Sequence, residues 1–396
     1  MKILTISHLY PSPSNDEYLF VHEQALALRE LGVRVQVISP TPWVPPGLAR
    51  SERDRRRAAK PLYAHLDGIE VEYPRAFVLP RRLLFDRLGD AYFHAVRPRL
   101  PALRSAGFDL VHAHQALPDG AAAQRLAAAL GVPYVVTVHG ADVYQALRTG
   151  GAERRRAAGV LAAAAAVLPV SSAVARLLRP YVDLKRLHVN LNGTVGGGRP
   201  ATPADFLPGR PLVLSVGFLI ERKAHATVLE ALGHLRREGR RVEYAVIGSG
   251  PLQAALAAEA WRLGIADAVH FMGRLPNPEV QRFMARADLF ALPSWDEAFG
   301  LVYTEAMAQG TPVLACRGEG CADFIDDGRN GYLVPPRDAA AVAAVVSRVL
   351  DAPDAARRVG EAGRATAAGL TWQANAARQL AVYERVLGGG PPAAKE

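Results

Sequence analysis

Ser215-Val216-Gly217-Phe218-Leu219-Ile220-Glu221-Arg222-Lys223 closes a short apolar run and opens a helical stretch through a glycine turn that carries two cations. The run before it, 211–216, has the Val- and Leu-rich continuity of a strand buried on both faces. Similar runs at 242–247, 268–271, 289–292 and 312–315 alternate with Ala-rich helical segments, so this half of the chain reads as a parallel sheet covered by helices. Cations at a helix start oppose its dipole, which makes Arg222 and Lys223 poor as solubilising groups there and good as an anion site. Lysine is scarce, five in the whole chain, and Lys223 is the one at a strand-to-helix turn of this half.

The same rhythm fills the first half, with strands expected at 2–7, 33–39, 110–114, 134–139, 166–170 and 187–191, helices at 19–31 and 119–130, and a mostly irregular stretch at 40–80. Asn192-Gly193-Thr194-Val195-Gly196-Gly197-Gly198-Arg199-Pro200 breaks the pattern and reads as a linker. With 396 residues the chain exceeds one core. Two Rossmann-like doubly wound α/β domains facing a cleft follow, at 1–195 and 196–370, with a last segment at 371–396. That segment opens on an amphipathic helix, 371–387, with Trp372, Leu380, Tyr383 and Leu387 on one side for docking. Asn277 before Pro278 reads as a helix cap, and Trp261 and Trp372 as core.

Composition narrows the function classes. Half of the residues are hydrophobic and 21% are charged, which excludes a disordered chain. The longest apolar run, 159–170, is too short to cross a bilayer, and the N-terminus turns polar too early for a secretory signal, so a cytoplasmic protein is expected. Cys316 and Cys321 read as packed thiols. Of the net charge of +9, residues 1–200 carry the excess, 26 Lys and Arg against 16 Asp and Glu. A basic first half suits an anionic membrane surface at the inner face or a lipid diphosphate; a solvated helix face is the plainer alternative. Nucleic acid is disfavoured, because Arg53-Asp54-Arg55-Arg56-Arg57, Arg81-Arg82 and Arg154-Arg155-Arg156 lack interleaved aromatics.

A second constellation follows the strand at 289–292: Pro293-Ser294-Trp295-Asp296-Glu297-Ala298-Phe299-Gly300-Leu301-Val302-Tyr303-Thr304-Glu305. Glu297 sits in the turn, where it can reach a sugar hydroxyl or a reacting centre, and Glu305 lies inside the helix, where it can accept from a ribose diol; the plainer alternative is a helix-start acid and a surface residue. His112-x-His114 lacks an obvious third metal ligand and reads as a satisfied strand end. Gly248-Ser249-Gly250 lacks the third glycine of a dinucleotide fingerprint, which argues against an NAD-dependent oxidoreductase. No Asp-x-Asp metal motif occurs, so no metal is expected.

The Gly-x-Leu turn ending in Arg222-Lys223, together with Glu297 and Glu305 in their Glu-x-Phe-Gly-Leu context, resembles family 4 retaining glycosyltransferases of the GT-B fold. The resemblance continues through Gly318-Glu319-Gly320, Asp327-Gly328-Arg329-Asn330-Gly331-Tyr332-Leu333-Val334-Pro335, Asp109-Leu110-Val111-His112-Ala113-His114 and Thr137-Val138-His139-Gly140-Ala141-Asp142. The opening Ser7-His8-Leu9-Tyr10-Pro11 and Phe20-Val21-His22-Glu23-Gln24 is similar to members that build bacterial surface polysaccharides.

The resemblance implies transfer of a hexose from a UDP- or GDP-sugar, held by the second domain, to a saccharide or lipid-linked acceptor held by the first, with the last helix crossing back onto the first domain. It implies that Lys223 neutralises the departing diphosphate, that Glu305 holds the ribose, and that Glu297 and His139 touch the donor sugar. Gly217, Arg222, Phe299, Gly300 and Leu301 would line the donor pocket, with Arg274 against the base. Catalysis would fall to His139, Lys223 and Glu297 with no metal or other cofactor, and the acceptor residues stay unassigned. The sequence departs from the family pattern at Phe218, where an Arg is common and which Arg222 would replace, at Tyr18, in place of a glycine, and at Thr194-Val195. A nucleotide-sugar epimerase or hydrolase of the same fold, or a non-catalytic binder of nucleotide sugars, are the rivals.

Overall fold

The computed structural model describes residues 1–13, 19–44, 47, 49, 51–78, 83–194 and 201–388. The chain divides into two compact units, Met1–Gly193 with Trp372–Glu396, and Thr194–Thr371. The sequence reading of a boundary at 195–196, of Tyr18 and of Arg81-Arg82 falls outside the described residues.

The first unit is built on β1 (Lys2–Ile6), β2 (Arg34–Ile38), β3 (Thr41–Pro42), β4 (Tyr63–Leu66), β5 (Ile69–Glu72), β6 (Arg75–Ala76), β7 (Leu110–His114), β8 (Tyr134–Val138) and β9 (Ala166–Pro169). Its main sheet runs in the order β4-β5-β2-β1-β7-β8-β9, parallel except for β4, which pairs antiparallel with β5 at the edge. The second unit holds β10 (Leu212–Val216), β11 (Glu243–Ile247), β12 (Val269–Gly273), β13 (Leu289–Ala291), β14 (Val313–Cys316) and β15 (Tyr332–Val334). They form one parallel sheet in the order β12-β11-β10-β13-β14-β15. The central strands are buried along their length, which is why they read as apolar runs.

The helix Trp372–Leu387 completes the first unit. Trp372, Ala376 and Tyr383 share a core with Ile3, Ala27, Leu110 and Leu168. Asn375 accepts from Gln24 Nε2 at 2.6 Å and donates to the Leu191 carbonyl at 2.8 Å, so a buried amide pins the helix to the helix Leu19–Glu30. Leu387, expected on the docked side, is exposed at the helix end.

Four other expectations are corrected. The described residues of 40–80 are not mostly irregular: they carry β3 to β6 and the helix Glu52–Ala59, hidden in the sequence because β4 alternates exposed and half-buried residues at an edge and β3 and β6 are two residues each. The stretch 187–191 is no strand and makes one isolated bridge, Leu187 to Val167. The neighbouring Pro169 has no N–H to continue the ladder. Trp261 is 79% exposed, because Leu256 and Ala260 bury the other face of its helix. Asn277 is already the first helical residue, behind Pro276, and its side chain accepts from Gln281 rather than capping an amide. Among the described residues no helix is long and apolar enough to cross a membrane.

Gly193 passes so close to Trp372 that an added Cβ would lie 2.4 Å from the Trp372 backbone nitrogen. Gly193→Ala therefore overpacks backbone against backbone, and a loss of about 1–3 kcal/mol is expected. Thermal unfolding checks it: an unchanged Tm would mean that the last helix is not seated on this turn.

Candidate functional site

β10 is flanked by β11 on one side and β13 on the other, so the chain leaving β10 and the chain leaving β13 diverge beyond the carboxyl ends of adjacent strands. A crevice opens at such a switch point. Lys223 follows β10 at the end of the turn Glu221–Lys223, just before the helix His225–Arg237, and Glu297 follows β13. Lys223 Nζ lies 2.5 Å from Glu297 Oε2, an ion pair whose side chains are 12% and 11% exposed. Ser294 Oγ donates to the same Glu297 oxygen at 3.2 Å and lies 2.9 Å from the Tyr303 hydroxyl, which in turn donates to the Leu292 carbonyl. Burial holds the Tyr303 phenol far above its ordinary range, so it stays a neutral donor.

The backbone of the Glu297 turn is fixed from the other side. Its N–H donates to Glu319 Oε2 at 2.9 Å, and its carbonyl accepts from Gly320 N–H at 2.9 Å. Burial pushes the Glu319 carboxyl up, and the amide bonds it accepts work against that shift. The helix Leu301–Ala308 starts after Gly300, at φ 83°, where an added Cβ would meet the Tyr303 ring at 2.3 Å. Only glycine fits there. Phe299 is buried against Phe324, 5.0 Å between ring centres, so the amides at this helix start have a rigid base. Glu305, on the same helix, is recessed enough for burial to raise its carboxyl, and its carboxylate has no hydrogen-bond partner among the described residues.

The remaining candidates lie on the loops beside this pair. Gly217 stands against the Lys223 side chain, and its N–H donates to Ile247 at 2.9 Å. Arg222 ties the β10 and β13 loops together through its carbonyl, which accepts from Trp295 N–H at 3.0 Å, and a long contact from its guanidinium to the Asp296 carbonyl at 3.5 Å. Arg274, after β12, stacks 5.9 Å over the exposed Phe218 ring. His225, behind Lys223, is pushed down to about 4 by burial, despite its contact with the Phe218 carbonyl and with the nearby ammonium lowering it further, so it is neutral at physiological pH. The structure thus gathers Gly217, Arg222, Lys223, Glu297 and the Phe299-Gly300-Leu301 turn around one ion pair.

His139 belongs to the first unit. Its Nε2 lies 3.0 Å from His114 Nδ1, the two rings stacked at 5.3 Å, and His114 packs on His112 at 4.5 Å. His112 bonds Thr137 Oγ1 at 2.9 Å and the Tyr383 hydroxyl at 2.7 Å. The pair at His112 and His114 therefore does gain a third imidazole, but these nitrogens serve one another and hydroxyls, and no metal-binding group of three occurs among the described residues. Burial pushes His112 and His139 down to about 3 and His114 well below its ordinary value. Asp142 accepts from the amides of Ala116 and Gly140 at 2.6 and 3.1 Å, and burial raises it to about 6.

Comparison with known proteins follows the same division. Residues 19–194 match the model of "Glycosyltransferase Family 4" and residues 203–366 that of "Glycosyl transferases group 1". A 2-deoxystreptamine glucosyltransferase of Streptomyces kanamyceticus is 32% identical over 91% of this chain and 97% of its own. The chain belongs to the family 4 glycosyltransferases. A D-inositol 3-phosphate glycosyltransferase of Streptomyces scabiei is 31% identical over 93% of this chain and 86% of its own. In fold the chain matches a sucrose-phosphate synthase from Thermosynechococcus elongatus, at a TM-score of 0.76 and 22% identity, over 98% of this chain and all of the other, and the fold is GT-B. These relatives are transferases, not epimerases or hydrolases.

Several residues of this glycosyltransferase escape sequence reasoning. Ser294, Tyr303 and Glu319 support Glu297, and none of them carries a motif of its own beyond the family pattern. His8 and Asp119 pair at 2.8 Å across 111 positions, which no local pattern reveals. The neutral histidine cluster carries a pH signature. Unfolded, each imidazole takes a proton near pH 6.5; folded, His112 and His139 refuse it down to about 3, so their stability contribution is full above 6.5 and is lost as pH falls below it. The cost approaches about 1.4 kcal/mol per pH unit for each ring. Asp142, shifted up, offsets part of this between its unfolded value and about 6. The urea midpoint should drop between about pH 7.5 and about pH 6, and His112→Gln should flatten that slope. Equal slopes in the two proteins would remove the cluster as the cause.

Proposed function

We propose that the second unit binds a UDP- or GDP-hexose with its diphosphate on Lys223 and the amides at the start of the helix Leu301–Ala308, and that the hexose passes with retained anomeric configuration to a saccharide or lipid-linked acceptor in polysaccharide or glycolipid synthesis. The single observation that carries this is the ion pair of Lys223 and Glu297 at the switch point of the sheet. The names of the two relatives, a glucosyltransferase and an inositol-phosphate glycosyltransferase, support a sugar donor of this kind.

The chemistry follows from charge. As the bond from the anomeric carbon to the phosphate oxygen breaks, its electron pair goes to the diphosphate, and the Lys223 ammonium with the helix-start amides stabilises that charge. The acceptor hydroxyl oxygen bonds to the anomeric carbon, and its proton leaves to the released phosphate oxygen on the same face, which retention requires. Glu297, already shared between Lys223 and Ser294, orients the sugar instead of attacking it. Glu305 accepts from the ribose hydroxyls with the lone pairs that nothing else occupies, and Arg274 packs toward the base. His139, held neutral, accepts or donates a hydrogen bond to a sugar hydroxyl without adding charge. A cation fixed in the chain takes the role a divalent ion plays elsewhere.

Lys223→Ala should lower turnover by about a hundredfold to a thousandfold, about 3–4 kcal/mol of barrier, while the thermal shift given by the preferred nucleotide, UDP or GDP, shrinks. Unaltered turnover would take the diphosphate away from Lys223. Turnover should also survive EDTA; activity lost to the chelator and restored by manganese would overturn the metal-independent reading.

A further inference from the structure

Glu297 is held at four points, two on its carboxylate and two on its peptide. Lys223 and Ser294 take the carboxylate. The segment after β14 takes the peptide: Glu319 Oε2 accepts from the Glu297 N–H at 2.9 Å, and Gly320 N–H donates to the Glu297 carbonyl at 2.9 Å. Of these two grips on the backbone only that of Glu319 is made by a side chain, so a substitution can release it without moving a main chain.

Glu319 also accepts from the neighbouring amide of Asp296. Asp296 stands at φ 55°, left-handed backbone that is uncommon outside glycine. A bend of this kind turns successive N–H groups toward one side and makes a concavity that takes an anion. Here the anion belongs to the same unit. Among the described residues Glu319 forms no ion pair, and the carboxylates of Asp296 and Glu297 act on it with its own sign. A half-buried acid beside two others is costly as packing, and the two amides are what it has in return. Its own support is rigid. Arg317 N–H donates to the Val334 carbonyl at 2.8 Å, Cys321 Sγ donates to the Cys316 carbonyl at 3.4 Å across the segment, and an added Cβ on Gly320 would lie 1.8 Å from the Ala298 carbonyl oxygen, so the two loops meet main chain to main chain.

We propose that Glu319 is a positioning residue for the transfer: its carboxylate fixes the Asp296-Glu297 peptide so that Glu297 meets the hexose of the donor at a set point, and it acts on recognition of the hexose rather than of the nucleotide. The inference rests on the reading of the second unit as donor site and adds a residue to it. The groups assigned to the diphosphate are placed by other means. Lys223 is placed by its own turn, where its N–H donates to the Ile220 carbonyl at 3.1 Å, and the helix-start amides by Gly300.

Titration of the whole chain with UDP, UDP-glucose, GDP and GDP-mannose, together with hydrogen exchange of the segment 294–300, tests this in the unaltered protein, Glu319→Ala and Glu319→Gln. In Glu319→Ala the affinity for nucleotide sugar relative to bare nucleotide should fall about tenfold, while affinity for the bare nucleotide stays within about twofold, which also shows that the variant folds. Exchange of the segment should rise about tenfold in the same variant. Glu319→Gln keeps one acceptor oxygen and should lie between the two. An unchanged ratio in Glu319→Ala overturns the proposal. So does an equal loss for nucleotide and nucleotide sugar, which would make Glu319 a prop of the whole pocket, and so does unaltered exchange in Glu319→Ala. Faster exchange in a chain that binds none of the four ligands supports the grip on the turn and sinks the donor reading instead.

Discussion

Two parallel strands that lie side by side but send their chains in opposite directions cannot close the space beyond their ends with their own loops. The candidate site of the second unit and the His8–Asp119 pair of the first are both arranged around that constraint. In the second unit it brings Lys223 within 2.5 Å of Glu297, 74 positions later, and in the first it brings His8 to Asp119. The sheet order alone decides which loops meet; the side chains decide what they do there.

The Lys223 and Glu297 pair is expensive as a piece of structure. Both side chains are close to nine-tenths buried, and the desolvation of two charges commonly cancels their attraction. What it supplies is a fixed position for each charge. Ser294 and Tyr303 brace the carboxylate, and Glu319 and Gly320 clamp the backbone of its turn. An ammonium restrained in this way has little left to reorganise, and fixed charges lower a barrier most under that condition, which is what the proposed role of Lys223 requires. Gly300 belongs to the same device, since the helix start could not approach the pair with a side chain against Tyr303.

The parts legible in the sequence are those whose physics is local. Central parallel strands such as β7 and β11 are buried on both faces and so announce themselves as apolar runs, and the turn Glu221–Lys223 falls, as read, between a strand and a helix. Edge elements are not local in this sense. β4 is half exposed and takes its pairing from β5, and the chain after Leu187 loses its ladder because Pro169, on the neighbouring strand, has no amide to give. Trp261 misled because hydrophobic character says nothing of which face of a helix a residue occupies. The partners of Glu297 and the pairing of His8 with Asp119 depend on strand order, which the sequence pattern leaves open.

The histidine cluster joins these scales. A chain of contacts runs from His139 through His114 and His112 to Tyr383 and Gln379 on the last helix, so the ring beside the first-unit loops is oriented by a segment far away in sequence. Apolar residues could fill the same volume, yet they could not fix a ring nitrogen. Hydrogen bonding fixes it only while the rings are neutral, because a proton on one would set a buried charge against two other imidazoles with no carboxylate in the chain of contacts to balance it. Burial enforces that neutrality by lowering all three, and the helix Trp372–Leu387 supplies much of the burial by covering His112. The docking of the last helix and the hydrogen-bonding state of His139 are therefore one property of the first unit, not two.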